Sequence, residues 1–136
     1  MERTTLQFPA GGYGGGVGGR LNPTNGAHYA AWIFPAGGGG TNLLKLIKFS
    51  SWTAWSYGGT NYWPMEVASL PPVGTGWHPL KLVLSGGSIE VYYDGTRVIS
   101  TTDIEANPYT SGGITLDAWT ESTPYFMSIS NLVVAP

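Results

Sequence analysis

LKLVLSGGSIEVYYDGTRVISTTD, residues 80–103, reads as three short strands joined by two tight turns. Leu80, Leu82 and Leu84 alternate with Lys81 and Val83, and after Gly86-Gly87 the residues Ile89, Val91 and Tyr93 alternate with Glu90 and Tyr92. A period of two sends successive side chains to opposite faces, so each run offers one apolar face to a core. Asp94-Gly95 tolerates the positive φ that a two-residue hairpin turn requires. RVISTTD, residues 97–103, then returns along the strand before it. The stretch is an antiparallel meander.

The same pattern extends in both directions. Downstream, GGITLDAW (112–119) and YFMSISNLVV (125–134) read as strands, and upstream TTLQF (4–8), VGGRL (17–21), HYAAWIF (28–34), NLLKLIKF (42–49) and MEVASL (65–70) do the same. No window carries an apolar stripe of helical period over three turns. In HYAAWIF, Tyr29, Ala31 and Ile33 share one face and His28, Ala30, Trp32 and Phe34 the other, both mostly apolar, as in a strand covered on both sides. In NLLKLIKF, Lys45 and Lys48 cannot share a face, so one lies near a strand end or a bulge intervenes. The glycine runs at 11–19 and 37–40 read as internal loops or bulged edges. Nine or ten strands with short turns predict an all-β, antiparallel two-sheet sandwich or barrel, as one domain over 1–136.

Composition narrows the function classes. Charged residues make up 10% of the 136-residue chain, against about 25% in an ordinary soluble domain. The six Lys and Arg are scattered and the formal charge is −2, so no basic patch exists to drive nucleic-acid binding. There is no long apolar run or basic amphipathic stretch, which argues against membrane insertion. The absence of cysteine removes disulfides, thiolate zinc sites and cysteine nucleophiles. MERTTLQF contains no apolar signal-peptide core.

The run GWHPLKLVLSGGSIEVYYDGTRVISTTD, with SGGITLDAW and YFMSISNLVV after it, resembles the concanavalin A-like lectin/glucanase superfamily, in particular its laminin-G-like and family-66-type carbohydrate-binding modules. The carrying features are a Trp-His-x-Leu-x-Leu strand, a glycine turn, a strand ending in Tyr-x-Asp-Gly, a Gly-Gly strand and a closing strand with Ser-x-Asn. GGVGGRLNPTNGAHYAAWIF is similar to the strand pair that carries an Arg and then a Tyr in those modules. The resemblance implies a concanavalin A-like jelly roll and places Arg20 and Tyr29 as hydrogen-bonding ligand residues. It also implies that N-terminal strands of the family are missing, and that the domain is cut from a larger exported protein of the cell surface or extracellular space. An open edge left by missing strands would pair with a second copy, giving a homo-oligomer. Family members often bind calcium; Asp103, Asp117 and Asn131 are the candidates here, with no other cofactor implied.

Catalysis has little support. Hydrolysis of a glycoside needs two carboxylates about 5–9.5 Å apart, and the Glu-x-Asp-x-x-Glu cluster of the superfamily's glucanases does not occur. Glu90 with Asp94, and Asp117 with Glu121, are each explained as turn formers or solvated acids. The Gln-x-His and Tyr-Phe-Lys motifs of its lyases do not occur either, although Arg20, His28 and Tyr29 lie near one another in sequence. Two histidines without a visible third partner make a triad or zinc site unsupported.

Aromatic residues carry the remaining signal. Six Trp and eight Tyr exceed what a small core needs, and SSWTAWSYGGTNYWP, residues 50–64, concentrates them. Sugars offer apolar C–H faces to such rings and hydroxyls to a few polar groups. Trp32, Trp77, Tyr93 and Phe126 are assigned to the core; Trp55, Tyr57, Tyr62, Trp63, Tyr109 and Trp119, with Arg20 and Tyr29, form the candidate ligand set. Gly58-Gly59 divides the segment into two arms that can pair as a hairpin, with Trp55 and Tyr62 facing solvent and Trp52 buried. The expected function is a non-catalytic carbohydrate-binding or adhesion module whose partner is a glycan or polysaccharide. A polysaccharide-active enzyme with an unrecognised site, and a structural sandwich without a small ligand, are the alternatives.

Overall fold

The computed structural model describes residues 1–36, 40–121 and 123–136. The described residues form twelve strands: β1 (Glu2–Gln7), β2 (Gly14–Leu21), β3 (His28–Phe34), β4 (Leu43–Phe49), β5 (Ser56–Tyr57), β6 (Thr60–Asn61), β7 (Glu66–Ser69), β8 (Trp77–Ser85), β9 (Ser88–Tyr93), β10 (Thr96–Thr102), β11 (Gly113–Trp119) and β12 (Ser128–Val134). Two five-stranded antiparallel sheets, in the orders β10-β9-β8-β1-β12 and β11-β2-β3-β4-β7, face each other as a jelly-roll sandwich. Among the described residues no helix is long and apolar enough to cross a membrane.

The meander of 80–103 forms as its alternation requires. Leu80, Leu82, Ile89, Val91 and Tyr93 are buried between the sheets, and Asp94 and Gly95 both take positive φ in the β9–β10 turn. Across the sandwich, β3 and β4 contribute Tyr29, Ala31, Ile33, Leu44 and Leu46 to the same core. The opposite faces of these two strands carry a second, smaller cluster of Ala30, Ile47 and Phe49, with Trp32, Phe34 and Trp55 packed against it. β3 is therefore apolar on both faces, but only one of them is covered by the other sheet.

Lys48 lies near the end of β4 and points inward, whereas Lys45 points outward, with no register shift in the β3–β4 pairing. The expected hairpin of the aromatic segment is present. Ser56 pairs with Asn61 and Tyr57 with Thr60 around Gly58-Gly59, and Trp55 bridges to Phe49 at the end of β4.

Several expectations are corrected. The glycines at 14–19 are not a loop: they build β2, a strand flanked by β11 and β3. Those at 37–39 lie outside the described residues. Of the four aromatics assigned to the core, only Tyr93 is buried there; Trp77 and Phe126 are exposed, and Trp32 lies on the outer face of its sheet. Trp52, expected inside, is 55% exposed, while Trp55 is half-buried and Tyr62 exposed. Trp77 and Phe126 lie at the start of β8 and just before β12, where alternation gives no assured inner face.

Candidate functional site

The outer face of β11-β2-β3-β4-β7 is shaped by glycine. Register places Gly14, Gly16 and Gly18 of β2 opposite Trp119, Asp117 and Thr115 of β11. On the other side, Gly16 and Gly18 lie opposite Trp32 and Ala30 of β3. A Cβ on Gly18 would meet the Thr115 Oγ1 and the His28 ring, and one on Gly14 would meet the Phe34 ring. A strand of larger residues here would hold the side chains of β3 and β11 apart. With glycine they meet over bare backbone.

The meeting is polar at its centre. Asp117 Oδ2 accepts hydrogen bonds from Trp32 Nε1 at 2.9 Å and lies 3.0 Å from His28 Nε2. His28 is buried, its ring stacked on Phe49 with centroids 4.6 Å apart and planes 3° from parallel, and its Nδ1 is 2.7 Å from the Gly26 carbonyl. Both ring nitrogens thus face acceptor oxygens. The Gly26 carbonyl can only accept, so Nδ1 donates to it, and Nε2 faces the Asp117 carboxylate. No described residue bonds Asp117 Oδ1.

Around this centre runs a groove of about 740 Å³. Trp32, Phe34 and Phe49 form its floor with Asp117, Trp119 stands on the β11 side, and Trp52, Trp55 and Tyr62 on the side of the aromatic segment. The hairpin sets this last wall: Tyr62 N donates to Trp55 O at 2.9 Å, and the two rings meet edge to face with centroids 5.6 Å apart. Lys45, opposite Trp32 in the β3–β4 register, also lines the groove, with its Nζ 4.9 Å from the Phe34 ring centroid. Rings of this kind offer stacking faces, while Asp117 and Lys45 offer one acceptor and one donor to fix orientation.

The residues singled out from sequence separate into two places. Trp55, Tyr62, Trp119 and Asp117 come together in the groove. Arg20, Tyr29, Tyr57, Tyr109 and Asp103 belong instead to a polar network at another part of the sandwich. Tyr29 is buried in the core rather than placed on a concave face, and its hydroxyl donates to Asp103 Oδ2 at 2.5 Å and accepts from Tyr109 N at 2.9 Å. Arg20 Nη1 donates to the carbonyls of Gly86 and Tyr109 at 2.6 and 2.7 Å, which ties the β8–β9 turn to the loop at 109. The Tyr109 hydroxyl donates to the Phe49 carbonyl, and the Tyr57 hydroxyl accepts from Ile104 N. Trp63 is exposed and does not line the groove.

Lys48 is the cation of that network. Its Nζ lies 2.7 Å from Asp103 Oδ2 and 3.0 Å from Glu105 Oε1, and it donates to Asn107 O at 3.1 Å. Burial opposes the charge on both Lys48 and Asp103. It is outweighed by their mutual hydrogen bond, with Glu105 aiding Lys48 and Tyr29 aiding Asp103, so that Lys48 is held above the usual amine value and Asp103 below the usual carboxylate value. Burial and then the bond to Asp103 push the Tyr29 phenol upward.

The three calcium candidates do not fit one ion. Asp103 is fully buried, with its oxygens engaged by Lys48, Tyr29 and the backbone N–H of Glu105. Asp117 lies in the groove, bonded to Trp32 and His28. Asn131 is on β12 of the other sheet, with φ of 57°. Among the described residues no group of three or more His, Cys, Asp or Glu is placed to hold a metal.

His28, Trp32, Phe34, Lys45, Phe49 and Trp52 were not picked out as site residues from the sequence. The signal for four of them was there: period two puts His28, Trp32 and Phe34 on one face of β3, and separates Lys45 from Lys48 on β4.

No family model matches the sequence, and no curated protein matches it. Solved structures do match in fold. The carbohydrate binding module CBM66 from Bacillus subtilis superposes with a TM-score of 0.76 at 17% identity, covering 96% of this chain and 71% of that one. Caenorhabditis elegans galectin LEC-6 superposes with a TM-score of 0.51 at 13% identity, covering 96% of this chain and 81% of that one. Both likenesses are of the concanavalin A-like jelly roll.

Proposed function

We propose that the chain is a non-catalytic carbohydrate-binding module and that the groove over the glycine strand is its ligand site. The observation that carries this reading is the Asp117 carboxylate. It is held from one side by Trp32 and His28, has one oxygen unengaged by described residues, and is ringed by Trp52, Trp55, Tyr62 and Trp119. A pyranose or furanose ring can stack its C–H face on an indole while a hydroxyl donates to Oδ1. The fold supports the reading, since the two matching structures are those of a carbohydrate-binding module and a galectin.

The non-catalytic part rests on the groove's chemistry. Among the described residues that line it, Asp117 is the one carboxylate, and hydrolysis by the usual route takes two. Polysaccharide lies outside the cell, and that is the compartment we propose for the module. A glycan array followed by titration of the hits tests the function. Binding that Asp117→Asn weakens about tenfold or more supports it. Binding indifferent to that change, or cleavage of the bound glycan, contradicts it.

A further inference from the structure

We infer that the groove selects glycans bearing a carboxylate, a uronate unit, which Lys45 receives. This rests on the proposed glycan site and names its ligand class. The two charged groups of the groove are not paired with each other. Asp117 Oδ2 is engaged by Trp32 and His28, and no ion pair joins Asp117 to Lys45 among the described residues. Lys45 has no carboxylate within ion-pair distance among the described residues; the cation of the other network, Lys48, has two. The Lys45 Nζ lies 4.9 Å from the Phe34 ring centroid, which holds the ammonium over an aromatic wall of the groove. One unpaired cation beside stacking rings suits a sugar with one anionic substituent. A carboxylate at C5 of a pyranose lies at the rim of the ring, so the sugar can stack on an indole and reach the ammonium together.

The test compares oligosaccharides of galacturonan, mannuronan and glucuronan, each as the free acid and as its uncharged methyl ester, with a sulfated galactan as a further arm. Binding is titrated at low and high salt to wild type, Lys45→Gln and Lys45→Arg. The expected result is a free acid bound about tenfold more tightly than its ester at low salt, a gap that narrows at high salt as screening sets in. Lys45→Gln closes the gap by weakening the free acid far more than the ester, and Lys45→Arg keeps it. Equal affinity for acid and ester, or a preference that survives Lys45→Gln, overturns the inference and leaves the glycan site standing. Tighter binding of the sulfated galactan than of every uronate overturns the carboxylate assignment. No binding of any glycan, charged or neutral, overturns the site as well.

Discussion

Trp32 Nε1 donates to Asp117 Oδ2 at 2.9 Å across a whole strand, because Gly16 of β2 lies between them without a side chain. The bond joins strands that are not neighbours in the sheet and fixes the rotamer of an indole and a carboxylate at once. A Cβ at position 16 would lie 1.8 Å from the Ala31 carbonyl oxygen. That is backbone and cannot rotate away. Gly16→Ala therefore shifts β2 against β3, and stability falls by about 1–3 kcal/mol, the usual cost of overpacking. Chemical denaturation checks the loss. A variant as stable as wild type would mean that the strand is not held this tightly.

Asp117→Asn separates binding from folding. An amide oxygen still accepts from Trp32, so the melting temperature changes by no more than a few degrees. The other carboxylate oxygen becomes an NH2 donor, which cannot accept from a sugar hydroxyl. Calorimetric titration with a bound glycan should show the affinity loss, beside a circular dichroism melt close to wild type.

Lys48 and Asp103 form a buried pair at 2.7 Å, with the Asp103 side chain fully buried. Removing one partner leaves the other charged and enclosed. Lys48→Met should cost about 3–5 kcal/mol, a fall in melting temperature of about 10 °C or more. Adding Asp103→Asn to Lys48→Met should recover part of the loss, because no lone charge then remains. Melts of the two single variants and the double variant measure the coupling directly.

Glu2 sets a pH dependence of opposite sign to that of Asp103. Burial raises the Glu2 carboxyl above its ordinary value, and its Oε2 has no hydrogen-bond partner. A carboxyl raised in the fold favours the protonated state, so its contribution is full below the unfolded value of 4.5 and is lost as pH rises through the folded one. Glu2→Gln should raise the melting temperature by a few degrees at neutral pH and leave it unchanged at about pH 4. Asp103, lowered in the fold, contributes above its ordinary value of 3.8 and loses that contribution as pH falls.

Much of the fold could be read from the meander of 80–103, where Leu80, Leu82, Ile89 and Val91 alternate cleanly and Asp94-Gly95 marks the turn. The site was harder, for two physical reasons. Tyr29 and Trp32 occupy opposite faces of one strand that is apolar on both, and bulk pointed to Trp32 as core. The sandwich buries Tyr29 because its hydroxyl finds Asp103, a partner 74 positions away that no local pattern reveals. The glycines of β2 look like loop punctuation in isolation. Their role as a gap beneath Asp117 emerges only when β11 and β3 flank them, a pairing of strands about 100 residues apart in the chain. The hairpin was legible from Gly58-Gly59, and Tyr62 faces solvent as expected, but Trp55 is half-buried against the Phe49 cluster on the outer face of β3 and β4, which the hairpin pattern alone does not show.

The six tryptophans supply their own control for the central claim. Trp32, Trp52, Trp55 and Trp119 line the groove, whereas Trp63 and Trp77 do not. The indole Nε1–H resonances, assigned by single Trp→Phe substitutions, are followed by NMR as a bound glycan is titrated in. Shifts confined to the groove tryptophans, led by Trp32 and Trp52, with Trp63 and Trp77 unmoved, are the predicted result. Shifts at Trp63 or Trp77 with the groove resonances still in place would contradict the account.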